Sequence, residues 1–229
     1  MQTIGILGGI GPQATMDFVR RIHDVSQKHI TPQDVRGYPP LIVHYCRFPP
    51  VLTDEEGRAQ QPPQPDPRLL QAAADLGQRT DFLVVTANGP HQFADRIAEA
   101  AGTPLLSMIA VTLDRLHMLG WRRVGLIGLG LPHVYMDPLD RQALDTVALP
   151  DDLRQALDQA IIAVMEGRDG AAERDTARQA LAWFADQDVD GVVLGCTEVP
   201  LLVDDVDRRP DLLNPAQLLA EAAVTRALV

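Results

Sequence analysis

Aromatic side chains are scarce in this 229-residue sequence, at 4% of the total. The core must therefore be built from Leu, Val, Ile and Ala. Cysteine is scarcer still, with only Cys46 and Cys196. Two thiols cannot make a disulfide framework, and neither lies in a zinc-type cluster, so no metal site is expected. The apolar run after Met1-Gln2-Thr3 is broken by glycines and has no basic region before it. Neither a signal peptide nor a membrane span is read from it. A cytoplasmic protein with reduced thiols is the expectation. Positive charge is also short: 20 Lys and Arg stand against 31 Asp and Glu, a formal net charge of −11. That disfavours nucleic acid or an anionic membrane as partner, because Lys and Arg supply the attraction to phosphate. A small anionic substrate stays open, since a pocket can differ in sign from the whole surface. No G-x-S-x-G elbow and no glycosidase-like carboxylate pair occur.

What is present alternates between apolar runs and helical patterns. Ile4-Gly5-Ile6-Leu7 ends in Gly8-Gly9-Ile10-Gly11-Pro12, and the pattern from Thr15 to His23 predicts a helix with Phe18, Val19 and Ile22 on one face. Leu41-Ile42-Val43 and Phe82-Leu83-Val84-Val85 read as strands, with a helix from Asp66 to Arg79 between them. The second half repeats the scheme. Val124 to Gly128 is a strand running into glycines, Leu153 to Met165 and Glu173 to Phe184 are helical, and Val192-Val193-Leu194 is a strand before Gly195-Cys196-Thr197-Glu198. Such alternation predicts buried parallel sheets covered by helices, an α/β fold.

The halves overlay. Ile4 to Gly8 matches Val124 to Gly128 at an offset of 120 (124 − 4), and Asp81 to Val85 matches Asp190 to Leu194 at 109 (190 − 81). Two matches in the same order point to a duplicated unit. The expectation is two pseudo-symmetric lobes with an active-site cleft between them. The first would comprise residues 1–105 plus 211–229 and the second 106–210, with Asn214 to Val229 a helix returning to the first. On this overlay Ala87 is the partner of Cys196. Proline-rich loops at Pro39-Pro40, Pro49-Pro50 and Gln61 to Pro67 fall near predicted strand ends.

In open α/β sheets ligands bind beyond the carboxyl ends of the strands. Gly8 to Pro12, Thr86 to His91 and Gly195 to Glu198 converge there. Cys196 should have its thiol pKa lowered by backbone N–H groups and a helical turn, although a free Cys is also a common small core residue. For Cys46 the structural reading is favoured. Gly9-Ile10-Gly11-Pro12-Gln13-Ala14 fits a dinucleotide fingerprint, but Cys46-Arg47 stand where a ribose-binding acid belongs and Pro12 removes a donor. A tight structural turn and a backbone nest for a carboxylate are the other readings. His91 could be an acid/base or a helix cap, and His133 could face the cleft.

These residues resemble the aspartate/glutamate racemase superfamily, which also includes hydantoin racemases, maleate isomerases and arylmalonate decarboxylases. Ile4 to Pro12, with Ala14-Thr15 and Asp17-Phe18, looks like the racemase opening, and Leu194-Gly195-Cys196-Thr197-Glu198-Val199-Pro200 looks like the second cysteine motif. The resemblance implies a cofactor-independent enzyme, commonly a homodimer, acting on a small carboxylate or amino acid. Two cysteines then face each other across the substrate α-carbon. Here the first motif, Cys-Asn-Thr-x-His in the family, reads Ala87-Asn88-Gly89-Pro90-His91. Cys196 is left as the catalytic thiol, with Thr86, one residue early, as the other candidate acid/base. Substrate contacts are implied for Gly9, Ile10, Gly11, Arg47, Ala87, Asn88, Gly89, His91, Thr197 and Glu198. Val51-Leu52, Leu129 and Met165 replace polar family positions, and Arg47 could stand in for one lost cation. Proton transfer through Cys196 is the expected function. A single-cysteine decarboxylase-like enzyme and a non-catalytic ligand-binding homologue are the alternatives.

Overall fold

The computed structural model describes residues 1–29, 37–56 and 58–229. It holds seven strands and eight α-helices among those residues. The chain divides into two compact units. One is Met1–Met108 with Leu219–Val229, and the other is Ile109–Leu218.

The first unit is built on a parallel three-stranded sheet in the order β2-β1-β3. β1 (Ile4–Gly8) and β3 (Phe82–Val85) are buried at every position, as expected of apolar runs covered on both faces. β2 (Leu41–Tyr45) lies at the edge and leaves Val43 and Tyr45 exposed. α1 (Pro12–Gln27) starts at Pro12, whose missing N–H costs nothing in a first turn, and buries Phe18, Ile22 and Val25. α2 (Pro67–Gly77) is capped by Asp66, whose carboxylate accepts the Arg68 N–H at 2.8 Å. α3 (Ala94–Ala101) completes the cover. Leu7, Leu69, Leu76, Leu83, Val85 and Ile97 form the apolar centre of this unit.

The second unit carries a parallel four-stranded sheet in the order β5-β4-β6-β7. Its strands are β4 (Arg123–Ile127), β5 (Asp145–Ala148), β6 (Gly191–Leu194) and β7 (Leu212–Leu213). α5 (His133–Arg141), α6 (Asp151–Met165) and α7 (Ala171–Phe184) accompany them. Unit boundaries fall within α4 (Met108–Leu119) and α8 (Pro215–Leu228). In the first unit, Gln2 donates its N–H to the Ala227 carbonyl at 2.8 Å, and the Arg226 guanidinium lies 4.8 Å from the Phe82 ring centre. The C-terminal helix thereby ties onto the first sheet.

Register carries the duplication further than strand order does. Ile4 pairs with Phe82 and Val124 with Gly191, so the offsets of 120 and 109 map one pair onto the other residue for residue. The equivalent strands β1 and β4, and β3 and β6, are evident from sequence, whereas β5, β7, α3, α4 and α5 are not. β5 is four residues of mixed polarity and β7 only two, too short to show a period. α5 hides behind an internal Pro138.

Candidate active site

In the first unit the glycine loop is closed by one hydroxyl. Thr15, fully buried, accepts the Gly9 N–H at 2.8 Å and donates to the Gly11 carbonyl at 2.9 Å. Its oxygen also lies 2.8 Å from the Thr86 hydroxyl. Thr15 has one proton, and Gly11 receives it. The Thr86 hydroxyl is therefore the donor in the pair, and its proton is committed. The close approach requires glycine at position 8, where a Cβ would lie 2.4 Å from Thr15 Cγ2. Gly9 turns the chain at φ +80°. Arg47, exposed, donates from Nη1 to the Gly9 carbonyl at 2.8 Å, so its guanidinium also braces the loop.

His91 is likewise engaged by backbone. Its Nε2 accepts the N–H of Met108, the first residue of α4, at 3.1 Å. The proton must then reside on Nδ1, which lies 3.0 Å from the Ala87 carbonyl and 3.2 Å from that of Asn88. Both ring nitrogens are used, and burial holds the ring pKa down to about 4. The imidazole is neutral and shapes the 3₁₀ turn Gly89–Phe93 as a positioning group. Asn88 is buried, Ala87 half-buried and Gly89 exposed, with open space where a Gly89 Cβ would lie. Cys46 is fully buried, and burial pushes its thiol up to about 11, as suits a core residue.

The second unit has a different set at the matching place. β6 ends at Leu194, and Gly195-Cys196-Thr197-Glu198 follow, leading into the 3₁₀ turn Val199–Leu202. Cys196 is 9% exposed and packs beside Leu194, Val199 and Leu202. Its Sγ lies 3.2 Å from Glu198 Oε2, and Thr197 Oγ1 donates to the same oxygen at 3.1 Å. The backbone N–H groups of Glu198 and Leu129 act to lower its pKa. Those donors favour a thiolate, yet the net direction is opposite to the sequence expectation. Burial raises the Cys196 thiol well above its ordinary value, and the Glu198 charge adds to the rise. A helical turn helps a thiolate by partial charges, whereas desolvation and a carboxylate in contact act with full strength. The resting group is a thiol, able to give a proton.

The loop carrying Leu129 is anchored from α6, where Asp158 accepts the Gly130 N–H at 2.8 Å. Sequence reading missed Asp158 as well as Met108, and it named Thr15 without its bonds. Nothing in a linear motif signals a carboxylate 28 residues away that fixes a loop. His133 sits exposed at the start of α5. Leu129 and Met165 are exposed apolar residues, and Val51 and Leu52 are half-buried. Among the described residues no group of three or more His, Cys, Asp or Glu could hold a metal ion. No helix among them is long and apolar enough to cross a membrane.

Two parallel sheets of matching register, each flanked by helices and one ending in a thiol, define an α/β protein of the racemase type. The chain belongs to the Asp/Glu/hydantoin racemase family, whose family model matches residues 7–223. It is similar to the broad specificity amino-acid racemase RacX of Bacillus subtilis (strain 168), 23% identical over 235 residues and covering 98% of both chains. An aspartate racemase homologue from Pyrococcus horikoshii OT3 has TM-score 0.77 and 23% identity, with 99% of each chain covered. The aspartate racemase of Picrophilus torridus has TM-score 0.81 and 19% identity, covering 99% of this chain and 94% of its own. At such identities the two structures speak for the fold.

Proposed function

We propose that this protein is a cofactor-independent enzyme of the racemase family that moves a proton at the α-carbon of a small carboxylate or amino acid through Cys196, on one face only. The carrying observation is the buried Cys196 thiol at a strand end, 3.2 Å from the Glu198 carboxylate. Racemisation needs an acid/base on each face. Ala87 offers none, and the Thr86 proton is spent on Thr15. One-sided exchange is what remains. Arg47, Asn88, Gly89, Thr197 and the Gly9-Ile10-Gly11 loop are carried as substrate contacts by the family resemblance. A homodimer belongs to the reading on the same ground. The cytoplasm belongs to it because both cysteines are free.

A second reading is favoured by the protonated state of the thiol. A decarboxylation leaves a carbanion-like species that needs only a proton donor, and a neutral Cys196 is one. The test is ¹H NMR in D₂O over a panel of D- and L-amino acids and substituted malonates. Loss of the α-proton signal without inversion supports the first reading. Deuterated product from a malonate supports the second. Neither event with any compound leaves a non-catalytic ligand binder.

A further inference from the structure

Two strand ends of the second unit meet closely. Ile127 of β4 pairs with Leu194 of β6, and a Cβ on Gly195 would lie 2.8 Å from the Ile127 carbonyl oxygen. The loop Gly128 to Pro132 therefore starts beside the segment that carries Cys196. It folds back on itself, since a Cβ on Gly128 would lie 2.8 Å from Pro132 Cβ, and Gly130 takes a left-handed φ of +62°. α6 supports it from outside. Leu157 and Ile161 of that helix share one apolar cluster with Ile127 and Cys196. Asp158, next to Leu157, divides its carboxylate between two tasks. Oδ1 accepts the Gly130 N–H at 2.8 Å, and Oδ2 lies 3.6 Å from Arg154 Nη1. Arg154 Nη2 in turn donates to Asp151 Oδ1 at 2.8 Å. Asp is a poor residue for a helix interior. What Asp158 gains lies outside α6, in the loop.

We infer that Asp158 is a positioning residue for Cys196, which by holding the Gly130 N–H fixes the loop that carries Leu129 beside the thiol segment. The inference rests on the proposed function for its effect on substrate, and on the loop geometry for its effect on the thiol. Asp158 acts on the sulfur in two ways of opposite sign. Its negative charge disfavours a thiolate. Its anchoring favours one, because the Leu129 N–H, one residue from the anchor, acts to lower the Cys196 pKa. The charge is the weaker of the two. Glu198 meets the sulfur directly at 3.2 Å, whereas the Asp158 charge is shared with Arg154. Anchoring therefore outweighs charge, and that sets the sign of the test.

The chain has only two cysteines, so ¹³C placed at cysteine Cβ gives two resonances, which Cys196→Ser assigns. Their shifts are followed by NMR against alkaline pH in wild type, Asp158→Ala and Asp158→Asn. Asn removes the charge and keeps an oxygen for the Gly130 N–H, while Ala removes both. The Cys196 midpoint should rise by roughly half a pH unit in Asp158→Ala, and should stay at or just below the wild-type value in Asp158→Asn. For α-hydrogen exchange, kcat should fall roughly 10-fold in Asp158→Ala with KM unchanged, and should return in Asp158→Asn. A merely structural Asp158 would lower the melting temperature of the Ala variant and leave its midpoint in place. That result overturns the inference, as does an Ala midpoint that falls together with that of Asn. Ala is the best helix former, so α6 should survive the change. Should the variant still fail to fold, Asp158→Ser, which draws the oxygen back by one bond, is read by the same criterion. If wild type exchanges no substrate while the midpoint still rises, the positioning role stands and the proposed function falls. If wild type exchanges and Asp158→Ala matches it in midpoint and kcat, the proposed function stands and the positioning role falls.

Discussion

The ends of β3 and β6 occupy equivalent places in two sheets of matching register, and they have been put to opposite uses. After β3, Thr86 and His91 are spent on holding the loops, one through a second hydroxyl and the other directly on backbone. Thr86 feeds Thr15, Thr15 ties Gly9 to Gly11, and His91 spends both ring nitrogens on peptide groups. After β6, the thiol and the hydroxyl both bond to one carboxylate oxygen. Satisfied groups fix a shape, and groups that share protons keep them exchangeable. The duplicated frame thus preserves geometry in both units while one end retains ionisable chemistry.

The largest effect that would test this contrast is at Cys196. Cys196→Ser should reduce α-hydrogen exchange at least ~100-fold, because a serine hydroxyl is a far weaker acid than a thiol and a far weaker base than a thiolate near neutrality. Undiminished exchange would move the chemistry away from β6 altogether. Next is Ala87→Cys, which puts a thiol at the register partner of Cys196. The expected outcome is new racemisation of aspartate or glutamate, followed by chiral chromatography alongside exchange in D₂O. The stability cost should be modest, ~1 kcal/mol, since the site already accepts a small half-buried side chain. Exchange without inversion in this variant would show that a second thiol is not all the first unit lacks.

Much of this contrast was legible in the sequence. The continuous apolar runs announced buried parallel strands, and the overlay at offsets of 120 and 109 matched the pairing found for Ile4 with Phe82 and Val124 with Gly191. Cys196 stood out because its motif is short and its neighbours are contiguous. The sign of its ionisation did not, because that depends on burial and on which way the Glu198 side chain turns, neither of which a string of letters carries. His91 was open between acid/base and cap for the same reason. Its fate was decided by Met108, 17 residues away, through one hydrogen bond.

His91 also gives the first unit a pH signature. Its pKa is held at about 4 in the fold, below the ordinary 6.5, chiefly by burial. Between those values the unfolded chain binds a proton that the folded chain does not, so stability rises with pH. The contribution is complete above pH 6.5 and is lost progressively as pH falls toward 4, amounting to roughly 3 kcal/mol across the window. Urea melts of wild type and His91→Asn from pH 7 to pH 4 measure it. The variant should be less stable at pH 7, with its N–H acceptor gone, and should show a flatter decline on acidification. Parallel slopes would place the acid sensitivity elsewhere.

The smallest expected effect is at Thr86, and it separates the two ends most cleanly. Thr86→Val keeps the size and β-branching and removes one hydroxyl. Thr15 then loses one accepted bond but still accepts the Gly9 N–H and still donates to the Gly11 carbonyl, so the loop should hold. One buried neutral hydrogen bond is worth ~1 kcal/mol, and the melting midpoint should drop accordingly. α-Hydrogen exchange by the variant should match wild type, because a hydroxyl whose proton is committed to Thr15 has none to give a substrate. The measurement is the same NMR exchange assay, run beside a thermal melt. Loss of exchange in a variant that melts within ~1 kcal/mol of wild type would mean that Thr86 can leave Thr15 and serve as an acid/base. The β3 end would then share the chemistry assigned to the β6 end, and the contrast between the two units would narrow to a difference between a hydroxyl and a thiol.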